Sequence, residues 1–387
     1  MSIQVLHTAD NHLDITAKNY GPTEMARKKD FSDSFDQVVN VAIKDRPDLM
    51  LISGDLYHRI NPRNPPRTTL MEKFRKIKSH GTEVFMISGH HDTPKSMEDG
   101  ISPLAVFESA GFVTTFLNSN EVSHKNVRLN GIDVCISGTS YNFFLPQSAD
   151  PIKNKKIPSE GEINILMLHY SIEGFEGYPF QNEPLVRLSS IPDKVAYVAA
   201  GHLHTFQHKR VGRTTICYPG STEFVTLAEH GEKGFVWTEL SRDGVEDLKF
   251  IPLKTRAIKR VKVAIEEKED ITELLKKVVD EYENRETILR LELHGTMNSE
   301  SLKTYRKNEV VRYAVMEGKV FYLFIDDSEV EFSLPKPLPP VKISSPLDEF
   351  RQYVNTLIEQ IKDEGEKKLL EEVKKLGLRV LEEEGAW

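Results

Sequence analysis

Over its first 250 residues the chain alternates short apolar runs with longer amphipathic stretches. Ile3–Thr8, Leu49–Ser53, Val84–Ser88, Ile132–Ser137, Ile163–Leu168, Val195–Ala200, Thr214–Tyr218 and Gly234–Leu240 have the length and hydrophobicity of buried strands. Between the first two, Phe35, Val38, Val39, Ala42 and Ile43 fall at i, i+3, i+4, i+7 and i+8. That is the stripe of an amphipathic helix, which Pro47 stops. Leu70, Phe74 and Ile77 predict a second helix, ended by Gly81. The later strands follow one another more closely. The pattern predicts an α/β (α+β) domain, two packed mixed sheets forming a sandwich with helices outside.

Near residue 252 the texture changes. Val261–Ile265, Ile271–Tyr282, Ile288–Leu293, Val320–Ile325 and Val330–Phe332 predict a small α+β domain. Leu334–Pro340 comes next, and Pro335, Pro337, Pro339 and Pro340 predict an extended, semi-rigid linker. Beyond it, Leu347, Phe350, Val354, Leu357 and Ile361 form a heptad-like stripe, and Leu369, Leu370, Val373 and Leu376 begin another. The expected domains are 1–252, 253–340 and 341–387, in keeping with a length of 387 residues.

Composition, 39% hydrophobic and 28% charged, supplies enough apolar mass for a core. Two cysteines, Cys135 and Cys217, exclude a disulfide scaffold and a cysteine-based zinc fold. No apolar run approaches the ~18 residues of a transmembrane helix. The start, Met1-Ser-Ile-Gln4, lacks the regions of a signal peptide, so a cytoplasmic protein is expected, with no membrane partner. Fifty-one Lys and Arg against 59 Asp and Glu give a net charge of −8. That argues against coating nucleic acid by bulk charge, but not against binding it at a local basic surface or a metal site.

The chemistry is concentrated where predicted strands end. The segments are Thr8-Ala-Asp10-Asn-His12, Ser53-Gly-Asp55-Leu-Tyr-His58, Ser88-Gly-His90-His91-Asp92, Leu166-Met-Leu-His169 and Ala200-Gly-His202-Leu-His204. One histidine after a strand is usually an ordinary loop residue; five such segments in order are not a coincidence. Strand ends of an open sheet face a common crevice, where distant polar groups converge. Two divalent cations ~3.5–4 Å apart need a bridging carboxylate and neutral ligands around it. Imidazole with carboxylate suits Mn, Fe, Co or Zn better than Mg.

The ordered set Asp-x-His, Gly-Asp, Gly89-His90-His91-Asp92, a lone His and Gly-His-x-His resembles the calcineurin-like metallophosphoesterase superfamily. His7-Thr-Ala-Asp10-Asn-His12-Leu, Met167-Leu-His169-Tyr and Tyr218-Pro-Gly-Ser221 narrow the resemblance to the SbcD-type, or meiotic-recombination-eleven, nucleases of double-strand-break repair. It covers residues 1–240.

The resemblance implies that Asp10, His12, Asp55 and His204 hold one metal, and that Asp55 bridges to a second held also by position 90, His169 and His202. It implies that His91 is the catalytic histidine, assisting the leaving oxygen, with Asp92 orienting its ring and His58 at the rim. The implied activity is Mn-dependent 3′-to-5′ exonuclease and single-strand endonuclease cleavage of DNA. The implied partner is an SMC-like ATPase of the SbcC or Rad-fifty type, bound through the C-terminal helices of a homodimeric, nucleoid-associated nuclease. Two positions depart from the family: His90 replaces Asn, and Asp14 stands where Gly is common. From the residues themselves, Arg59, Arg63 and Arg67, in a Pro-rich loop after His58, are expected to contact DNA phosphates. The alternatives are a phosphodiesterase for small molecules and a scaffold with an inactive site.

Overall fold

The computed structural model describes residues 1–96, 98–176, 183–266, 270–333, 345–361 and 363–383. Contacts divide the chain into two units. One comprises Met1–Ala264, Ile271–His294 and Arg306–Glu329; the other comprises Ile265–Asp270, Gly295–Tyr305 and Val330–Trp387.

In the first unit two six-stranded mixed sheets face each other. The first runs, edge to edge, Gly244–Pro252, Gly234–Ser241, Ser2–Thr8, Leu49–Ser53, Glu83–Ile87 and Thr114–Thr115. The second runs Gln207–Val211, Thr214–Tyr218, Tyr197–Gly201, Ile163–His169, Ile132–Gly138 and Ser123–Leu129. Ile3, Val5, Leu49, Leu51, Phe85 and Ile87 from the first sheet meet Val134, Ile136, Ile163, Ile165, Met167 and Ala199 from the second. These residues alternate along each strand with a set facing the opposite way, because successive side chains point to opposite faces. Leu6, Met50, Ile52, Val84 and Met86 pack outward against Phe31, Phe35 and Val38 of the helix Glu24–Asp45 and Leu70, Phe74 and Ile77 of the helix Asn64–Ser79. This is the expected α/β sandwich with helices outside.

Two features lay outside the apolar pattern. The first helix begins eleven residues before its apolar stripe and ends at Arg46, which takes a left-handed φ of 50° just before Pro47. The polar edge strands Ser123–Leu129, Gln207–Val211 and Gly244–Pro252 have one face in solvent and no apolar run to announce them. Asn130-Gly131, both at positive φ, turn the first of these hairpins and were a readable signal.

The three-stranded sheet is formed by Ile258–Ile265, Asn284–Met297 and Val320–Phe332. Val320–Ile325 and Val330–Phe332, read as separate runs, are one continuous strand. Two helices not foreseen, Ser299–Thr304 and Lys307–Met316, lie between the last two strands in sequence. In the second unit the helix Pro346–Gln360, capped by Ser345, packs on Glu364–Glu383, with the Phe350 ring against Gly377. The expected linker Leu334–Pro340 lies outside the described residues.

Candidate metal centre

The parallel strands end level with one another. Thr8 pairs with Ile52, Ser53 with Ile87 and His169 with Gly201. The loops that leave these ends therefore start at one edge of the sandwich. Glycines permit the close approach: a Cβ on Gly54 or Gly89 would stand within 2.7 Å of the His169 ring, and one on Gly201 would stand 2.0 Å from Ser53 O. Eight non-glycine residues among those described have positive φ, and five are Asp10, His12, Asp14, Asp55 and His202. Such conformations cost about 1–3 kcal/mol each and persist where the surroundings over-determine them, typically at functional sites.

Two groups of three donors share Asp10. Asp10, His12 and His204 place ligand atoms within 4.8 Å of one another, as do Asp10, Asp55 and His169. His12 Nε2 lies 3.2 Å from His204 Nε2 and 3.9 Å from Asp55 Oδ2. His169 Nε2 stands 3.3 Å from Asp55 Oδ2 and 3.9 Å from Asp10 Oδ1. Asp10, His12 and His169 are fully buried and Asp55 nearly so. His169 Nε2 is buried in no hydrogen bond, a costly state for a polar atom unless a ligand completes it. The donor set fits borderline divalent cations.

The outward-facing nitrogens are already used. His169 Nδ1 donates to Ser53 O at 2.7 Å, His204 Nδ1 meets Glu229 Oε1 at 2.9 Å, and His202 Nε2 meets Glu183 Oε2 at 2.9 Å. His12 Nδ1 meets His58 Nδ1 at 3.1 Å. Partners of this kind fix the tautomer of a metal-binding imidazole.

Charge follows burial. Desolvation holds His12 well below the usual histidine value and His58 at about 4, so both are neutral and keep a lone pair to offer. Desolvation also raises Asp10; it pushes Asp55 up too, but the neighbouring His169 outweighs it and holds Asp55 well below the carboxylate range. Burial lowers His169, and the Asp55 charge more than offsets it, leaving it at about 9. Glu229, pushed up by burial, is brought to about 2 by His204 and Lys233.

The other expected residues fall as follows. His91 stacks on His58, centroids 4.6 Å apart and rings 22° from parallel, with Nδ1 toward His58 O at 3.2 Å. His12, His58 and His91 form a third group of close donors. The expected bond from Asp92 to the His91 ring is not formed. Asp92 instead accepts from Gly89 N at 2.7 Å, Leu56 N at 2.9 Å and Tyr57 N at 3.3 Å, because these buried amides have no strand partner. It ties the turn carrying His90 and His91 to the one carrying Asp55, and burial beside Asp55 raises it to about 7. The His90 ring packs on Tyr141 and Phe143 at 5.3 and 5.4 Å, and neither it nor His202 joins the groups of close donors.

Asp14, which stands where Gly is expected, grips two of the three loop arginines. Its buried carboxylate accepts from Arg63 N at 2.8 Å and Arg63 Nε at 2.7 Å, and lies 3.7 Å from Arg59 Nε. Arg59 also donates to Asp14 O and Thr16. Arg67 is half-buried, its Nε without a hydrogen bond. Glu229, Lys233 and Glu183 were not anticipated: acids and lysines in loops are too common for their spacing to single them out.

The calcineurin-like phosphoesterase family model matches residues 3–206. Three proteins named "DNA double-strand break repair protein Mre11" are similar over most of the chain. That of Sulfolobus acidocaldarius is 27% identical over 76% of this chain and 76% of its own length. That of Methanocaldococcus jannaschii is 28% identical over 70% and 72%, and that of Thermoplasma acidophilum 27% identical over 77% and 78%. The family's enzymes are dinuclear metal-dependent hydrolases, and the convergence of buried carboxylates and imidazoles at the strand ends is what such chemistry requires. The match spans more than half of the 387 residues, and the chain belongs to the calcineurin-like phosphoesterase family.

Proposed function

We propose that this chain is a two-metal, Mn-dependent DNA nuclease of double-strand-break repair, cutting as a 3′-to-5′ exonuclease and a single-strand endonuclease. The observation that carries the reading is the buried, unbonded His169 Nε2 between Asp55 and Asp10. The function in the relatives' names supports DNA as substrate.

Asp10, His12, Asp55 and His204 would hold one cation, and Asp55, His90, His169 and His202 the other; Fe, Co or Zn would serve in place of Mn better than Mg. When bound, two such cations polarise the phosphoryl group and activate water. The protein's own part is to orient the imidazoles, to keep His12 and His58 neutral and to hold Asp55 ionised. It also presents His91, held by His58 O and the His58 ring, to the departing 3′ oxygen. Asp92 acts on His91 through the backbone turn. Arg59, Arg63 and Arg67 would meet DNA phosphates beside the centre.

The remaining proposals concern organisation: a nuclease domain at 1–252, a DNA-capping domain at 253–340 and an ATPase-binding arm at 341–387, in an intracellular, nucleoid-associated homodimer. Tyr353, Leu369, Val373, Leu376 and Val380 on the arm's helices are exposed, which supports a partner there. No helix among the described residues is long and apolar enough to cross a membrane. Digestion of end-labelled duplex and single-stranded DNA under a metal series, beside a chromogenic phosphodiester, tests the reading. Mn-dependent shortening from 3′ ends is expected; hydrolysis of the small ester with intact DNA would replace the nuclease by a small-molecule phosphodiesterase.

A further inference from the structure

The segment 221–229 follows the strand Thr214–Tyr218 and is held from outside by three guanidinium groups. Arg27, buried on the helix Glu24–Asp45, donates to Phe224 O at 2.5 Å and pairs with Glu223 at 3.2 Å. Arg260, on the strand Ile258–Ile265, donates to Leu227 O at 3.2 Å and to Glu229 O. Arg290, on the strand Asn284–Met297, donates to Leu227 O at 2.9 Å while its other end is held by Asp326 at 2.7 Å. Arginines placed for a nucleic-acid backbone would keep their donors free. Arg260 Nη2 and Arg290 Nη1 are spent on loop carbonyls, both Nε atoms are buried, and the Arg290 side chain is only 16% exposed.

Inside the loop the contacts run to the metal centre. Glu229 Oε1 accepts from Thr226 N and His204 Nδ1, both at 2.9 Å. Glu229 Oε2 accepts from Lys233 Nζ at 2.6 Å and Val225 N at 3.3 Å. Lys233 is fully buried and also donates to His204 O and Ser221 Oγ, both at 2.9 Å. With Nδ1 turned to Glu229, His204 presents Nε2 toward His12 Nε2, 3.2 Å away, and Asp10 Oδ1, 3.9 Å away.

We propose that Arg260 and Arg290 are positioning residues for the metal centre: by pinning the carbonyls of Leu227 and Glu229 they fix Glu229, which fixes the tautomer and ring plane of His204. The inference rests on the reading of His204 as a metal ligand. It gives the three-stranded sheet a role in forming the site itself, and anything that displaces the sheet would loosen one ligand of the first metal.

The test uses the full chain with Arg260→Gln/Arg290→Gln together, with Glu229→Gln, and with the exposed Arg128→Gln as a control. Three quantities are read: Mn affinity by calorimetry, the ¹⁵N imidazole signals of His204 without metal, and hydrolysis of bis(p-nitrophenyl) phosphate. In the parent, read at a pH high enough for the ring to be neutral, the Nδ1–H form should be sharp and single. The arginine pair should lower Mn affinity about tenfold, the low end for lost partners of ligating histidines, and average the two tautomers of His204. Glu229→Gln should do at least as much, and Arg128→Gln nothing. Unchanged Mn affinity and an unchanged His204 spectrum in the arginine pair would overturn the proposal. So would a loss confined to DNA binding, which would make the arginines phosphate contacts. If the double variant does not fold, Arg260→Lys and Arg290→Lys, each keeping the charge and losing the fork, carry the same comparison. A parent that binds no Mn, with a His204 spectrum still sensitive to the arginines, defeats the metal reading and leaves the coupling standing.

Discussion

At the scale of single residues, His90 and Asp14, read from the sequence as departures from the pattern it resembles, both have physical consequences. An Asn at 90 would offer a neutral oxygen to the second cation; His offers a stronger, softer nitrogen on a ring that now rests on Tyr141 and Phe143. If the ring does coordinate, His90→Asn will weaken second-site Mn binding by roughly tenfold or more, as loss of support for a ligand does, and will raise the relative affinity for Mg. Calorimetric titration with each metal measures both, and tighter Mn binding by the Asn form would show that His90 is no ligand. Asp14 places a buried negative charge under Arg59 and Arg63. Its removal in Asp14→Asn should free guanidinium charge toward DNA and steepen the slope of log affinity against log salt by about one. Replacing Arg59, Arg63 and Arg67 by Ala should flatten the same slope, and filter binding over a salt series reads both.

At the scale of elements, the loop bearing Asp55 and His58 leads into the helix Asn64–Ser79, whose Phe74 is fully buried. Its ring lies 4.9 Å from Phe107 and 6.4 Å from Phe35. Phe74→Ala should cost about 3–5 kcal/mol through lost burial and a residual cavity. The check is a lower denaturant midpoint with an unchanged slope, since the same surface is still exposed on unfolding. The helix was legible because its apolar residues recur at helical spacing. The polar hairpin partners were not, since an edge strand with a wet face has no apolar run of its own. Arg256, one of the basic residues at the start of the small α+β region, could pass for a phosphate contact in sequence. In the fold it grips Asp30 through Nε and Nη2, both at 2.7 Å, and covers the Phe321 ring at 3.6 Å.

At the scale of the whole molecule, truncation after Pro340 should leave Mn-dependent cleavage and abolish binding of an ATPase partner. A pull-down and a nuclease assay on the same preparation check it, and lost cleavage would mean that residues 341–387 serve the fold. Deletion of 253–387 should be more damaging. Arg260 and Arg290 go with it, so hydrolysis of a small phosphodiester should fall together with cleavage of DNA instead of surviving it.

The sequence by itself determined the sandwich and that Asp10, His12, Asp55, His169 and His204 would gather at its strand ends. Apolar periodicity reports which face of an element is buried, and strand ends carrying Asp and His report where polar groups gather. Tertiary structure alone decided how those residues are held: that Asp92 serves backbone amides instead of the His91 ring, that Asp14 engages Arg59 and Arg63, and that Glu229 stands behind His204. The reason is physical. A side chain's donor or acceptor is spent on whatever buried group the fold brings within hydrogen-bond reach, often from far along the chain, and spacing along the sequence does not encode that choice.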